Sequence, residues 1–261
     1  TLGFPTNTQT SVNVRTASSS DRIAQLKKIG PVRVWSLLVT VFGDLPHETD
    51  ASLTSAQLNR LFEALQLRPE ALRVALHRLR KDGWILSERM GSLSSYSMTA
   101  NGRAETAAAR DRVYQAFSTK RRAWVLGLAP NALPEDALRI GPGVGLFRPD
   151  QMSAGDDVWS FHVGEEVPPD WVLETILPAE FLDLADRLAS FLEGRATFQS
   201  ADGPDRKMAE RTLILHHWRR LALRDGTWLT MELASDGRVA ECARAVRDAL
   251  KDIPIQQIDG A

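Results

Sequence analysis

Helical spacing, then strand alternation, then a mixture of both predicts an α+β protein in three parts. Apolar residues recur every three or four positions in three short stretches between residues 32 and 81. Alternation at period two follows between residues 84 and 98. Beyond Arg121, short apolar runs are split by Gly and Pro before helical spacing returns near the C-terminal end.

The first helix is predicted in "VRVWSLLVTVF", residues 32–42, where Val34, Trp35, Leu38, Val41 and Phe42 share a face and Gly43 supplies a stop. The second opens on a full start signal. Thr54 is placed to cap it, Gln57 to close the capping box, and Leu53 to staple onto Leu58, with Leu58, Leu61, Phe62 and Leu65 turned inward. The third starts at Pro69, a residue tolerated at a first helical position, and its stripe is Leu72, Ala75, Leu76 and Leu79. A tight turn between the second and third helices makes a helix-turn-helix. "WILSERMGSLSSYSMT" then predicts two strands around a Met90-Gly91-Ser92 turn, with Trp84 and Leu86 alternating against Tyr96 and Met98, so the hairpin is a wing. Trp35 and Trp84 are expected in the helical core. Thr99 is placed to cap a linking helix, "ANGRAETAAARDRVYQAF".

After residue 121, "AWVLGL", "VGLF" and "VWSFHV" are expected strands, with "LPAEFLDLADRLASFL" a helix packed on them. Two more helices, about residues 206–224 and 236–250, complete the pattern, and no internal repeat recurs at a fixed period. The domain expectation is a flexible arm at 1–20, a winged helix-turn-helix unit at 21–100, a linker helix at 101–120, an α+β unit at 121–200 and a helical region at 201–261.

A chain of 261 residues with 43% hydrophobic and 25% charged residues excludes neither two nor three globular domains, but it argues against disorder and membrane classes. No apolar run is long enough for a bilayer, and the N-terminal stretch lacks the order of a signal peptide. The single cysteine, Cys242, has no partner for a disulfide, so a buried structural thiol and a cytoplasmic setting are expected. Net charge is -1, yet residues 1–122 hold 18 Lys and Arg against 10 Asp and Glu, while the remainder holds 14 against 23. A basic half joined to an acidic half suggests that one part meets a polyanion.

The third helix decides what that polyanion is. With Leu72 at zero on a helical wheel, the leucines cluster there, Glu70, Val74, His77 and Lys81 fall opposite, and Arg73, Arg78 and Arg80 flank them. A DNA-reading helix needs this arrangement, because its apolar stripe docks on the preceding helices while basic side chains reach base edges and phosphates. Candidate contacts are Arg68, Glu70, Arg73, His77, Arg78 and Lys81, with Arg89, Ser92, Ser94 and Tyr96 on the wing. The plainer alternative is an ordinary solvated face.

Other motifs carry less. "IGPGVGLFRP" lacks the Lys-Ser/Thr ending of a phosphate loop and is expected to be a glycine-rich turn between strands. Asp156-Asp157 and Glu165-Glu166 are solvated turn residues, and no catalytic or metal-ligating constellation is present, so no enzyme activity and no resident cofactor is expected. "LILHHWRRLALR" turns Ile214, Leu215, Trp218, Leu221 and Ala222 to one side and leaves His217, Arg220 and Arg224 as a basic ridge. That ridge suits an anionic ligand or, more blandly, local ion pairs.

"RVWSLLVTVFGDL", "LRPEALRVALHRLRKDGWI" and "SSYSMTANGRA" resemble the winged-helix domain of the PaaX-type repressors of phenylacetic acid catabolism in bacteria. "GPGVGLFRP" resembles the family's central ferredoxin-like domain and "LHHWRRLALR" its helical C-terminal region. The resemblance implies a homodimer on a palindromic operator, released when phenylacetyl-coenzyme A or a related thioester binds. The candidates for contacting the anionic coenzyme portion are His217, Arg219, Arg220 and Arg224. A CRISPR-associated endonuclease shares the central fold, but "AWVLGLAP" lacks the aspartate that such an enzyme uses for metal. The expectation is therefore a dimeric transcriptional repressor of a catabolic operon. The rivals are a metal-dependent nuclease acting through the central domain and a protein-interaction module on a winged-helix scaffold.

Overall fold

The computed structural model describes residues 19–46, 51–114, 123–130, 133–135, 137–152, 157–163, 169–194, 203–233 and 237–255. The arm expected at 1–20 falls outside them except for its last two residues, which already belong to a helix. The fold is α+β, with two antiparallel sheets.

Its first helix, α1 (Ser19–Ile29), escapes the sequence pattern because polar residues surround a thin stripe of Ile23, Leu26 and Ile29, all buried. The expected helices follow as α2 (Val34–Asp44), α3 (Ser55–Ala64) and α4 (Pro69–Lys81). The capping box before α3 is complete: Thr54 Oγ1 accepts from the Gln57 backbone N–H at 3.2 Å, and Gln57 Oε1 accepts from the Thr54 N–H at 2.7 Å. Ser52–Thr54 also form a short strand, β1, that three residues of sequence did not announce. It pairs with β3 (Leu93–Met98), which pairs in turn with β2 (Ile85–Met90), giving the order β1-β3-β2. Gly91 takes φ +61° in the β2–β3 turn, a conformation that favours glycine.

The hairpin register differs from expectation by one residue. Ile85 lies opposite Met98 and both are buried, whereas Leu86 faces outward and Trp84 precedes the strand. Trp84 instead meets Trp35 edge to face, ring centroids 6.0 Å apart, which ties the hairpin to α2. Thr99 caps α5 (Ala100–Tyr114) as expected, its Oγ1 accepting from the Gly102 N–H at 3.0 Å. Gly102 is required there by close approach, since a Cβ would stand 2.2 Å from the Trp84 carbonyl oxygen.

The second sheet contains β4 (Trp124–Leu128), β5 (Leu138–Gly141), β6 (Val144–Phe147) and β7 (Trp159–Val163), in the order β5-β6-β4-β7. The glycine-rich "IGPGVGLF" is the β5–β6 hairpin, turning at Gly143 with φ +66°. A ferredoxin-like unit runs βαββαβ. Every pairing is antiparallel, and among the described residues no α-helix lies between these strands. One face of the sheet is covered by α6 (Asp170–Ile176) and α9 (Asp225–Leu233), through Ile176, Leu229 and Leu233 against Leu146, Trp124 and Leu126.

The helix expected on the strands goes elsewhere. α7 (Ala179–Glu193) packs on α1, α8 (Pro204–Ala222) and α10 (Arg238–Asp252), through Leu184, Ala185, Leu188 and Leu192. α8 runs through the middle of the N-terminal helices, touching α1, α2, α3 and α5 as well as α7, α9 and α10. A single apolar core therefore joins Leu38, Phe42 and Leu58 to Leu213, Trp218 and Val246. Trp218 is fully buried and donates Nε1–H to the Val113 carbonyl at 2.9 Å, so its burial leaves no polar atom unsatisfied. Cys242 lies in the same core, where burial pushes its thiol pKa up and leaves it unreactive.

Candidate nucleic-acid interface

α4 begins at Pro69, and Arg68 occupies the capping position with extended backbone and no side-chain cap. Its stripe of Leu72, Ala75, Leu76 and Leu79 is buried on α2 and α3. Arg68, Glu70, Arg73, His77, Arg78 and Lys81 are all exposed, as is Val74 at 70%. With Arg80, which is exposed as well, the helix and its cap residue present six basic or imidazole side chains, one carboxylate and one aliphatic group to solvent. Among the described residues, Arg78 is the one of these with partners of its own. Its guanidinium lies 5.5 Å from the Trp35 ring and pairs with Asp82 at 3.5 Å, an exposed i,i+4 pair of little energetic weight.

The hairpin brings a second set of polar groups out beyond α4. Arg89 and Ser92 are exposed, Ser94 and Tyr96 half-buried. Arg89 is partly committed, donating Nε–H to the Gly91 carbonyl at 3.2 Å, and the Ser94 N–H reaches Ser55 Oγ at 3.4 Å. Guanidinium, imidazole and ammonium groups projecting from a rigidly packed helix are donors suited to phosphate oxygens and to guanine edges.

The second predicted cluster, on α8, is not a ridge. His217 is completely buried, and its Nε2 meets the Leu26 carbonyl at 2.9 Å, so that nitrogen carries the proton and the ring is neutral. Burial, reinforced by neighbouring His216, pushes its pKa down to about 3. His216 is buried too, with Nε2 3.3 Å from the Pro31 carbonyl and a pKa pushed by burial to about 4. The remaining three basic residues separate. Arg219 turns toward α2, donating to Ser36 Oγ at 3.0 Å. Arg220 points at Gly30, close to Arg33 and Glu180, with Nη1 buried and unpartnered. Arg224 is exposed and lies 4.4 Å from the Phe181 ring of α7. The ridge does not form because Leu213 widens the apolar arc of α8. With Leu213 at zero, the apolar residues through Ala222 span roughly 200°, and His217 falls at about 40°, inside that arc.

Sequence patterning also missed the most deeply buried charges. Asp44, at the end of α2, accepts from Arg211 Nε at 2.6 Å and Nη2 at 2.9 Å, and from the Tyr114 hydroxyl. Arg211 Nη1 donates to the Ile253 carbonyl at 2.6 Å and to that of Leu250 at 3.1 Å. Burial works to lower the Arg211 pKa, but the hydrogen bonds and charge of Asp44 outweigh it and raise the net value. Burial and the same carboxylate push the Tyr114 hydroxyl up. This network clamps the ends of α2, α5 and α10 to α8. Its sequence signal is faint: Arg211 also falls within the apolar arc of α8, at about 160° on the same wheel.

The family model described as PaaX-like protein matches this part of the chain. The match spans residues 33–102. The matched segment holds α2, α3, α4 and the hairpin, so the resemblance seen in the sequence stands over the candidate interface. The chain is also 33% identical over 86 residues to the transcriptional repressor PaaX of Escherichia coli (strain K12). That alignment covers 33% of this chain and only 27% of the repressor, about a quarter of its length. Among solved structures, the uncharacterized protein Rv0674 from Mycobacterium tuberculosis aligns over 83% of this chain and 94% of its own, at 15% identity and a TM-score of 0.43. A likeness that loose decides nothing about the fold. Among the described residues, no helix is long and apolar enough to cross a membrane.

Proposed function

We propose that this protein is a DNA-binding transcriptional regulator, a repressor acting as a homodimer through a winged helix-turn-helix formed by α2, α3, α4 and the β2–β3 hairpin. The observation that carries the proposal is the outward face of α4. Arg73, His77 and Lys81 project from a helix whose leucines are fully committed to the core, within the segment that matches the PaaX-like family. In this reading α4 enters the major groove and Arg89 and Ser92 at the hairpin tip approach the backbone or minor groove. Two copies would engage half-sites spaced by a helical turn or a multiple of it.

The regulated operon in this proposal is an aromatic-acid catabolic one, and the effector an acyl-coenzyme A thioester such as phenylacetyl-coenzyme A. The effector must favour the DNA-free form to release the operator. His217 drops out of the effector contacts because it is buried and neutral, which leaves Arg220 and Arg224 beside α7 and Arg219 beside α2.

Fluorescence anisotropy tests the proposal, using duplexes from upstream of the protein's own and neighbouring operons, titrated with salt and repeated with a panel of acyl-coenzyme A thioesters. Phosphate contacts predict an affinity that falls steeply and log-linearly as salt rises. Absence of measurable affinity at low salt for every duplex would sink the reading.

A further inference from the structure

The chain leaves α3 for α4 through a turn that is normally built on glycine. The Leu67 N–H donates to the Phe62 carbonyl at 2.9 Å and the Gln66 N–H to that of Glu63 at 2.8 Å, the paired hydrogen bonds of a Schellman helix ending. Such an ending needs one residue in the left-handed region, usually glycine and sometimes asparagine. Here it is Gln66, with φ +54°, the one non-glycine residue of positive φ among the described residues. Its Cβ makes that conformation costly, where glycine would adopt it freely.

Lys27 of α1 stands at this turn. Its ammonium donates to the Leu65 carbonyl at 3.1 Å and to the Gln66 carbonyl at 3.1 Å. Those carbonyls belong to the two peptide groups whose rotations define φ and ψ of Gln66, so a single cation fixes the strained residue from both sides. It also meets the C-terminal end of α3, where the helix dipole favours positive charge. α1 is itself held in the core through Ile23, Leu26 and Ile29 against α7 and α8, so the ammonium is delivered from a fixed support.

What the turn places is the start of α4. Arg68 and Pro69 follow within three residues of Gln66, and Arg68, Pro69 and Glu70 are all exposed, whereas the docked stripe begins only at Leu72. Core packing therefore holds the middle of α4, and the turn holds its first residues. In a helix-turn-helix the N-terminal residues of the reading helix meet the base edges. The geometry points to Lys27 as a positioning residue for DNA reading: lying outside the family-matched residues 33–102, it keeps Gln66 left-handed and thereby sets Arg68, Glu70 and, behind them, Arg73, without touching DNA itself. This inference rests on the proposed role of α4.

Fluorescence anisotropy of the full chain on a selected duplex, repeated over a salt series, tests it. Lys27→Met keeps an aliphatic stem and loses both hydrogen bonds. It should weaken binding by about tenfold, the scale set by losing hydrogen bonds from a charged donor to a turn that must form before α4 docks, and leave the slope of log affinity against log salt unchanged. Lys28→Met removes the same charge from the exposed neighbouring position and should change affinity by about twofold or less, as expected of a screened charge. Gln66→Gly takes the left-handed conformation without a steric cost, so adding it to Lys27→Met should restore most of the affinity. Gln66→Val, a β-branched residue at the same exposed position, should weaken binding with Lys27 in place, and it carries the test if circular dichroism shows Lys27→Met unfolded.

Unchanged affinity in a folded Lys27→Met or in Gln66→Val overturns the inference. So does a loss that Gln66→Gly fails to restore, and so does a salt slope shallower by about one, which would make Lys27 a phosphate contact. If the unsubstituted chain binds no duplex, the regulator reading falls instead, and urea unfolding still decides the coupling: Lys27→Met should destabilise less in the Gln66→Gly background, and additive effects would overturn it.

Discussion

Two helices of this protein are written in nearly the same letters, "LRVALHRLRK" in α4 and "LILHHWRRLA" in α8, and they meet opposite environments. α4 packs on one side only, and its basic residues stand in solvent. α8 is enclosed by seven other helices, and the same residue types become interior parts: His217 neutral on a carbonyl, Arg211 locked to Asp44, Arg219 on a hydroxyl. The width of the apolar arc separates the two, about 100° for Leu72, Ala75, Leu76 and Leu79 against roughly 200° on α8. Basic residues alone do not mark a binding face. What lies on either side of them on the wheel does.

That contrast breaks most visibly through charge deletion. Asp44→Ala leaves Arg211 buried without its counter-charge and should cost about 3 to 5 kcal/mol of stability in urea unfolding. Arg78→Ala, which removes the exposed pair with Asp82 on α4, should change stability by about 0.5 kcal/mol or less. Similar losses from both would show that the two helices do not differ as described.

Acid probes the same contrast from the histidines. Both α8 histidines stay neutral in the fold, with pKa values near 4 and 3, while the unfolded chain takes up protons near the ordinary value of 6.5. Each therefore contributes stability that is fully present above pH 6.5 and is lost as pH falls toward 4 for His216 and toward 3 for His217. At pH 4.5 the loss should reach about 2 to 3 kcal/mol per histidine. His217→Gln retains an amide donor for the Leu26 carbonyl and removes one of the two titrations, so its stability should fall less steeply over that range. An unchanged slope would place the acid sensitivity elsewhere.

Local chemistry was the legible part of this sequence. The Thr54–Gln57 box, the Thr99 cap, Pro69 at the head of α4 and the leucine stripes depend on neighbours within a few residues, and the structure holds each of them. What escaped depends on partners far along the chain. α1 is a helix because α7 and α8 receive Ile23, Leu26 and Ile29, not because its own composition favours one. β1 is three residues long and is defined by β3 across from it. α7 has an amphipathic face that fits a sheet or a helix equally, and only the tertiary arrangement places it on α10 and α8. The hairpin register differs by one because Trp84, a bulky apolar residue just before the strand, packs on Trp35 instead of belonging to the strand's inward set, which starts at Ile85. The candidate DNA face was legible because it needs only one helix and its stripe, while the buried Asp44–Arg211–Tyr114 network joins residues up to 167 positions apart.

If the exposed face of α4 reads DNA, its residues should alter affinity and leave the fold untouched. Arg73→Ala should weaken binding to a selected duplex by about 1 to 3 kcal/mol and relax base preference at one position. A loss that is uniform across sequences, with a shallower salt dependence, would make Arg73 a phosphate contact instead.

Val74 offers the finest test. It is a β-branched aliphatic at 70% exposure amid basic residues, where it stabilises neither the core nor the helix, and the aliphatic feature of the major groove is the thymine 5-methyl group. Replacing each thymine of the selected duplex in turn by deoxyuridine deletes one methyl group. At one position the wild type should lose about 0.8 kcal/mol, close to fourfold in affinity. Val74→Ala should show the same loss on the unmodified duplex and little further loss on the substituted one, the non-additivity expected when both changes remove one contact. Additive losses would mean that Val74 and that methyl group do not meet, and that α4 reads its site through its charged residues alone.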